Sequence, residues 1–285
     1  MIEPTNACNF SCSMCPNKLM KRKKGFMELE LFKLILRKCE ESNISRIFLY
    51  TVGESFLHPD FFEMLRLSAL CPTIKRIDLF TNGSLLNEAN IREIVKIKKC
   101  MVHFSFSGFD KESYENRYRG GVFEEAVKKI KLFHQIIRES KISPPLSIPL
   151  LLIYGVVEND SEKQKTISFL KNCVGLEPYQ IYIVCSYDWA GYISNKYHAG
   201  ACESRNEKKP GQYMCDSIRR FKIGILYDGR VTACGCLDIN GELIIGDIRR
   251  QSIREIREGA AFKELIQRFK RGNLNGTICY GCQNE

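Results

Sequence analysis

The chain has 285 residues, 44% hydrophobic and 27% charged, enough to bury a sizeable core in one large domain with a smaller appendage. No apolar run approaches the roughly eighteen residues of a membrane span, and the first notable motif stands at the very start, so neither a membrane helix nor a signal peptide is expected and the location is expected to be cytoplasmic. Fourteen cysteines in a reducing compartment argue for metal ligation over disulfides, whereas the formal charge of +10 says less, because metal-bound thiolates cancel part of it.

The first element is a loop. In Glu3-Pro-Thr-Asn-Ala-Cys-Asn-Phe-Ser-Cys-Ser-Met-Cys-Pro16, Cys8, Cys12 and Cys15 follow the spacing C-x3-C-x2-C among Asn6, Asn9, Ser11 and Ser13. Polar neighbours of this kind point to a metal nest and not to a core. Three thiolates in eight residues can reach three corners of an iron–sulfur cube and leave its fourth iron open for chemistry. A zinc knuckle or a disulfide pair is the alternative, although a zinc site normally shows four ligands in paired form. The basic run Lys21-Arg22-Lys23-Lys24 is read as a solvated loop beside this site. Its functional alternative is contact with an acidic substrate, a reductase or an RNA, although no nucleic-acid module accompanies it.

Helix and strand then alternate. A helix is expected over 28–41, with Leu31, Leu34, Ile35 and Lys38 at helical spacing, then a buried strand at 45–52. Helices near 59–70, 87–98 and 122–139 lead to strands at 74–80, 101–107 and near 146–153. A helix near 160–172 and the strand 179–185 complete the series. With a short strand before the cysteine loop this gives six strands, a parallel sheet with right-handed crossovers, and two units too few for a closed eightfold barrel. Residues 186–214, which carry the only tryptophan, Trp189, read as a bridge that is either a simple linker or a cover for the site.

From Cys215 a separate small module follows. A hairpin is expected to turn at Asp228-Gly229, a second turn at Asn240-Gly241, and a helix from about Ser252 to Lys270 ending near Gly272. The cysteines fall as Cys215-x13-Gly229-x4-Cys234, with Cys279-x2-Cys282 in the tail. Four thiolates can close around a cluster completely, and zinc would suit them on chemistry alone. Cys236, two residues beyond Cys234, could replace it. Cys185 and Cys202 are further spares, and Cys39, Cys71, Cys100 and Cys173 read as small core or surface residues.

The first loop, with Phe10 between its cysteines and Met14-Cys15-Pro16 at its end, resembles the cluster motif of the radical S-adenosylmethionine (radical SAM) superfamily. The C-terminal pattern resembles the SPASM module in its shortened Twitch form, and in plan the chain resembles the 2-deoxy-scyllo-inosamine dehydrogenase-like members. The resemblance implies an α/β fold, a partial (β/α)6 TIM-like barrel over 1–185, a bridge over 186–214 and a small α+β SPASM/Twitch module over 215–285. It implies two [4Fe–4S] clusters, a catalytic one on Cys8, Cys12 and Cys15 and an auxiliary one on Cys215, Cys234, Cys279 and Cys282. S-adenosylmethionine (AdoMet) would bind the open iron and be cleaved to a 5′-deoxyadenosyl radical that takes a substrate hydrogen.

By the same resemblance Gly53-Glu54 matches the turn that meets the amino group of AdoMet, though Val52 and Ser55 depart from the family pattern. Thr81-Asn82-Gly83 matches a segment facing AdoMet, with a plain turn as the alternative. Ser105 and Ser107, sharing a face with His103, stand near its ribose or carboxylate, and Arg119, or else Arg117, could pair with the carboxylate. His58 reads as a helix-entry residue.

The expected reaction is a two-electron oxidation of a carbohydrate or aminocyclitol carbinol, with the auxiliary cluster as electron acceptor. One rival is epimerisation with Cys236 or Cys185 as hydrogen donor. Another is maturation of a ribosomal peptide, disfavoured because there is no room for a peptide-docking domain before Cys8. An idle iron–sulfur carrier and a zinc-stabilised binding protein are the non-enzyme readings. The expected partners are a small-molecule or peptide substrate and an electron donor such as flavodoxin or ferredoxin, with no membrane and no primary role for nucleic acid.

Overall fold

In the computed structural model, which describes residues 1–140, 151–185, 189–190, 192–193, 214–235, 237–280 and 282, the alternation becomes one five-stranded parallel sheet. Strands β1 (Arg46–Leu49), β2 (Arg76–Thr81), β3 (Cys100–Ser105), β4 (Leu151–Val157) and β5 (Ile181–Cys185) lie side by side in chain order. Helices α1 (Leu29–Glu41), α2 (Phe61–Leu70), α3 (Glu88–Lys96), α4 (Lys111–Arg117), α5 (Phe123–Glu139) and α6 (Asp160–Phe169) provide the crossovers. The expected sixth strand is present only as a parallel bridge of Ile2 to Leu49, and Ile2 also bridges to Ile225 of the C-terminal module.

The two faces of the sheet differ because strand side chains alternate. Ile47, Leu49, Ile77, Leu79, Val102, Phe104, Leu151 and Ile153 are buried beneath the helices, as the amphipathic stripe of α1 (Leu31, Phe32, Ile35, Leu36, Cys39) requires. The concave face carries Phe48, Asp78, Phe80, His103, Tyr154 and Tyr182, whose strands pair in register at Phe48↔Asp78, Phe80↔His103 and Tyr154↔Tyr182.

Helix α4 was not foreseen in the sequence. Its start is a reciprocal cap in which Asp110 accepts from the Ser113 backbone N–H and the Ser113 hydroxyl from the Asp110 N–H, and Asp110-x2-Ser113 was the available signal.

In the C-terminal part, α7 (Asp216–Arg219) precedes an antiparallel sheet of β6 (Gly224–Ile225), β7 (Arg230–Thr232) and β8 (Ile244–Asp247). Gly229 and Gly241 occupy the two foreseen turns with φ of 89° and 70°, and Gly272 follows the last helix at φ 67°, conformations that side chains resist. The single helix expected over 252–270 is two, α8 (Ile253–Glu258) and α9 (Ala260–Lys270), because Gly259 is extended and ends one helix as it starts the next. Lys38, counted with the helical stripe of α1, reaches this module instead, its ammonium donating to the carbonyls of Ile248 and Gln251 at 2.5 and 2.7 Å. Among the described residues no helix is long and apolar enough to cross a membrane.

Candidate functional site

The cysteine loop lies over the C-terminal ends of the strands, where loops carry chemistry on a rigid frame. It is fastened there by backbone. Glu54 N–H donates to the Ala7 carbonyl at 2.8 Å, and Ser11 and Ser13 N–H donate to the Arg119 and Arg117 carbonyls at 2.8 and 2.9 Å. Gly53 allows this approach: a Cβ there would meet the Thr5 carbonyl at 2.3 Å and the Ala7 carbonyl at 2.8 Å. Asn17 Nδ2 ties the far end of the loop to the Asn6 and Val52 carbonyls at 2.9 and 2.5 Å.

Cys8, Cys12 and Cys15 are half-buried free thiols. Burial first, and then among other charges those of Glu54 and Cys15, push the Cys8 thiol up to about 11. Burial and the charges of Cys15 and Cys8 raise Cys12 further, and burial raises Cys15. Three thiolates cannot share this pocket without cations among them, and the irons of a cluster are such cations, so the donor set fits the group.

Glu54 is fully buried. Its Oε1 accepts from Thr81 Oγ1 at 2.9 Å and Phe56 N–H at 3.2 Å, and its Oε2 from Asn82 N–H at 2.7 Å. Burial lifts its carboxyl to about 7 against those hydrogen bonds. No lysine or arginine among the described residues pairs with it, so a buried carboxylate beside the thiols lacks a cation, and the ammonium of an amino acid would supply one. Asn82 Nδ2 also donates to Asn9 Oδ1 at 3.0 Å, joining the third expected strand end to the loop.

The remaining expected contacts divide. Ser105 ends β3 half-exposed, whereas Ser107 is buried with its hydroxyl 3.2 Å from Tyr118 Oη. Arg119 is exposed next to the loop it holds, while Arg117 is buried in an ion-pair cluster with Glu162 and Glu158. His58 is buried, its Nε2 2.7 Å from the Met27 carbonyl and its Nδ1 accepting from Asp60 N–H, a local structural role. Cys185 closes β5. Cys236 and Cys202 lie outside the described residues, as does most of the 186–214 bridge. Trp189, within it, donates its indole N–H to the Met14 carbonyl at 2.8 Å.

Cys215, Cys234, Cys279 and Cys282 are also half-buried free thiols. Burial, then the charge of Cys282 and more weakly that of Cys215, push Cys279 up to about 12, so both of those thiols stand within electrostatic reach of Cys279. Cys234 follows β7. Among the described residues no three His, Cys, Asp or Glu crowd round the position of a single ion.

Two features were missed in the sequence. Asp78, in the strand Arg76–Thr81, is buried and accepts from Arg46 Nε at 2.7 Å and Arg76 Nη2 at 2.8 Å, with His103 Nε2 at 2.9 Å. Rings also line the concave face: Tyr50 meets Phe80 at 4.0 Å, Phe80 stacks on His103 at 4.1 Å and meets Tyr154 at 5.3 Å, and Tyr154 stacks on Tyr182 at 5.7 Å. The period-2 spacing of Phe48, Tyr50 and of Asp78, Phe80 was the signal available for both.

Residues 2–170 match the radical SAM superfamily. The chain belongs to that superfamily. Residues 215–283 match SPASM, an iron–sulfur cluster-binding domain, so the cofactors are iron–sulfur clusters and AdoMet. The chain is 26% identical over 171 residues to the tungsten-containing aldehyde ferredoxin oxidoreductase cofactor-modifying protein of Pyrococcus furiosus, covering 57% of this chain and 44% of that one. It is 28% identical over 162 residues to the sporulation killing factor maturation protein SkfB of Bacillus subtilis, covering 57% and 36%. The match spans less than half the length of either relative.

Among solved structures, BtrN in complex with AdoMet and 2-DOIA aligns over 99% of this chain and 90% of its own at 16% identity and TM-score 0.61. SuiB of Streptococcus suis bound to its precursor peptide SuiA aligns over 99% and 68% at 15% identity and TM-score 0.68. These likenesses concern the radical SAM fold.

Proposed function

We propose that this radical SAM enzyme oxidises a carbinol carbon of a carbohydrate or aminocyclitol by two electrons, with Cys8, Cys12 and Cys15 holding the catalytic [4Fe–4S] cluster and Cys215, Cys234, Cys279 and Cys282 an auxiliary one. We further take 1–185 as the barrel, 186–214 as the bridge and 215–285 as the auxiliary-cluster module. When bound, the first cluster and AdoMet supply an electron and a 5′-deoxyadenosyl radical, and the second cluster supplies an acceptor for the electron that the oxidised substrate gives up.

The chain's own residues do the rest. Glu54, held by Thr81 and by Asn82 N–H, presents its negative charge to the AdoMet ammonium. Asn82 and Ser105 offer polar groups at the adjacent strand ends, and Arg119 stands exposed for the carboxylate. The half-exposed rings of Phe80, Tyr154 and Tyr182 offer faces on which the C–H side of a saturated ring can lie, and which attract an ammonium substituent.

The observation that carries the reading is the pairing of an open three-thiol loop, beside a buried carboxylate that no lysine or arginine of the described residues meets, with a second set of half-buried thiols of which Cys215 and Cys282 lie within electrostatic reach of Cys279. The full-length likeness to BtrN supports the same architecture.

Peptide maturation is the second reading, favoured by the likeness to SkfB and SuiB. Epimerisation is the third and requires Cys236 or Cys185 as hydrogen donor.

Iron and sulfide analysis after anaerobic reconstitution tests the cofactor assignment. About eight irons per chain should fall to about four in a Cys8→Ala/Cys12→Ala/Cys15→Ala variant, with AdoMet cleavage abolished. Four irons falling to none, with zinc retained, would remove the auxiliary cluster from the mechanism. With a deuterated carbinol, oxidation carries the label into 5′-deoxyadenosine with no solvent deuterium in product, whereas one solvent deuterium in product would show epimerisation.

A further inference from the structure

We propose that the outer face of the segment following Cys15, carrying Lys18, Leu19, Lys21 and Lys23, is the docking surface for an acidic one-electron carrier of the flavodoxin type. The inference rests on the proposed catalytic cluster at Cys8, Cys12 and Cys15, which must be fed one electron at a time.

The basic run that follows this segment is not uniformly solvated, because its members face different ways. Arg22 turns inward onto Glu3, its Nη1 and Nη2 donating to the two carboxylate oxygens at 2.8 Å each. Lys24 folds back over the loop, donating to Asn17 Oδ1 at 2.7 Å and to the Asn17 and Asn6 carbonyls at 3.0 and 3.2 Å. Lys18, Lys21 and Lys23 are left exposed, and no carboxylate among the described residues pairs with them. Among them Leu19 is 47% exposed.

Three exposed cations and an exposed leucine within one short segment favour the approach of an acidic surface that also carries an apolar contact. Such an arrangement speeds encounter and sets orientation. The surface is also fixed in place. Pro16–Leu19 form a short 3-10 turn, Asn17 is tied to Asn6 and Val52, and Lys21 N–H donates to Asn240 Oδ1 at 2.8 Å.

Its position selects the partner. The turn begins at the residue after Cys15, and the charge of Lys18 reaches that thiol. The earlier half of the loop faces Glu54 and Asn82 through Ala7 and Asn9, so a carrier on the outer face leaves the AdoMet side clear. The transfer would be a one-electron step, the donor's flavin hydroquinone giving up one electron to become the semiquinone and the cluster that Cys8, Cys12 and Cys15 would hold accepting it. Nucleic acid is the other polyanion such a patch could hold, but no aromatic side chain interleaves the three lysines for bases to stack on.

The test compares the reconstituted parent with Lys18→Glu/Lys21→Glu/Lys23→Glu and with the neutral Lys18→Gln/Lys21→Gln/Lys23→Gln. Binding of a bacterial flavodoxin is measured directly at low and at physiological ionic strength, and AdoMet cleavage is driven in turn by reduced flavodoxin and by dithionite. Flavodoxin affinity and flavodoxin-driven cleavage should fall about ten-fold or more on charge reversal, with the neutral variant between, a clear salt dependence in the parent alone, and dithionite-driven cleavage unchanged. Equal flavodoxin binding by all three proteins would overturn the proposal. So would tighter parent binding to a single-stranded RNA oligonucleotide than to flavodoxin, with that binding lost on charge reversal. Absence of dithionite-driven cleavage in the parent would sink the catalytic reading, while the direct binding measurement would still decide the docking face.

Discussion

Replacing Arg22 by methionine should cost far more than any neighbouring member of the basic run. The Arg22 and Glu3 side chains are 6% and 0% exposed, and the guanidinium adds Nε to the Ile239 carbonyl at 2.7 Å. Breaking a buried pair by removing one partner costs about 3–5 kcal/mol, because the other charge remains buried. Glu3 keeps two further donors, Thr51 Oγ1 at 2.6 Å and Tyr227 N–H at 3.1 Å, and hydrogen bonds to a charge are worth about 1.5–3 kcal/mol each. The loss should therefore sit near the low end, about 3 kcal/mol, against roughly 0.5 kcal/mol or less for Lys23→Met on the surface. Glu3→Gln/Arg22→Met removes the stranded charge; the amide oxygen can take the place of Oε1 for Tyr227 N–H and the amide NH2 that of Oε2, donating to the Thr51 hydroxyl, so part of the loss should be recovered. Urea unfolding of the reduced, cluster-free proteins, followed by far-UV circular dichroism and by tryptophan fluorescence, gives the comparison where both probes coincide. A cost for Arg22→Met no larger than for Lys23→Met, or a double variant no better than the single, would refute the buried-pair argument.

Glu54→Gln should weaken AdoMet binding about ten- to a hundred-fold, through loss of a charge-assisted contact; unchanged affinity by titration calorimetry would leave Glu54 as a strand-end lock only. Because burial raises this carboxyl to about 7 from 4.5, AdoMet affinity should also decline as pH falls through about 7, and the decline should vanish in Glu54→Gln. The sign for stability is the opposite: the ligand-free protein is most stable where Glu54 is protonated and loses stability as pH rises from about 4.5 through about 7. Gly53→Ala, whose Cβ would meet two backbone carbonyls inside 3 Å, should push the cysteine loop off the strand ends, lowering iron per chain on reconstitution and costing about 1–3 kcal/mol. Burial alone would raise the Asp78 carboxyl, but hydrogen bonds from His103, Arg76 and Arg46 hold it well below the usual carboxylate range. Its stabilisation should therefore persist at neutral pH and be lost as pH falls below about 3.8, and Asp78→Asn should remove that acid limb of the stability profile.

The legible parts of the chain were those whose signal is local. The helix expected over 122–139, found as Phe123–Glu139, the Gly229 and Gly241 turns and the spacing of Cys8, Cys12 and Cys15 each draw on neighbouring residues, so one chain segment carries the whole pattern. What escaped depends on partners far apart in sequence. Nothing near Arg22 marks it as different from Lys21 or Lys23; its partner Glu3 is nineteen residues away, and the carbonyl it binds, that of Ile239, belongs to the other module. Asp78 reads as an interruption of an apolar strand until Arg46, Arg76 and His103 arrive from the same and neighbouring strands. The break at Gly259 was missed for a different reason: the helical pattern runs through it, and a single glycine within such a pattern is compatible with a continuous helix.

The Asp78 cluster and the Glu54 site also explain why one concave face can serve both stability and chemistry. Both are buried carboxylates on adjacent strand paths, yet their surroundings are opposite. Asp78 lies toward the N-terminal ends, where two arginines pair with it and His103 adds a hydrogen bond, so its charge is already matched within the sheet. Glu54 lies at the C-terminal ends, where among the described residues hydroxyl and backbone donors meet it and no lysine or arginine does, so its ionised form is left for a cation that arrives where the thiols gather. The aromatic row from Tyr50 to Tyr182 runs across the sheet between these two levels. A ring lying on it would have a locked polar network on one side and the cysteine loop on the other.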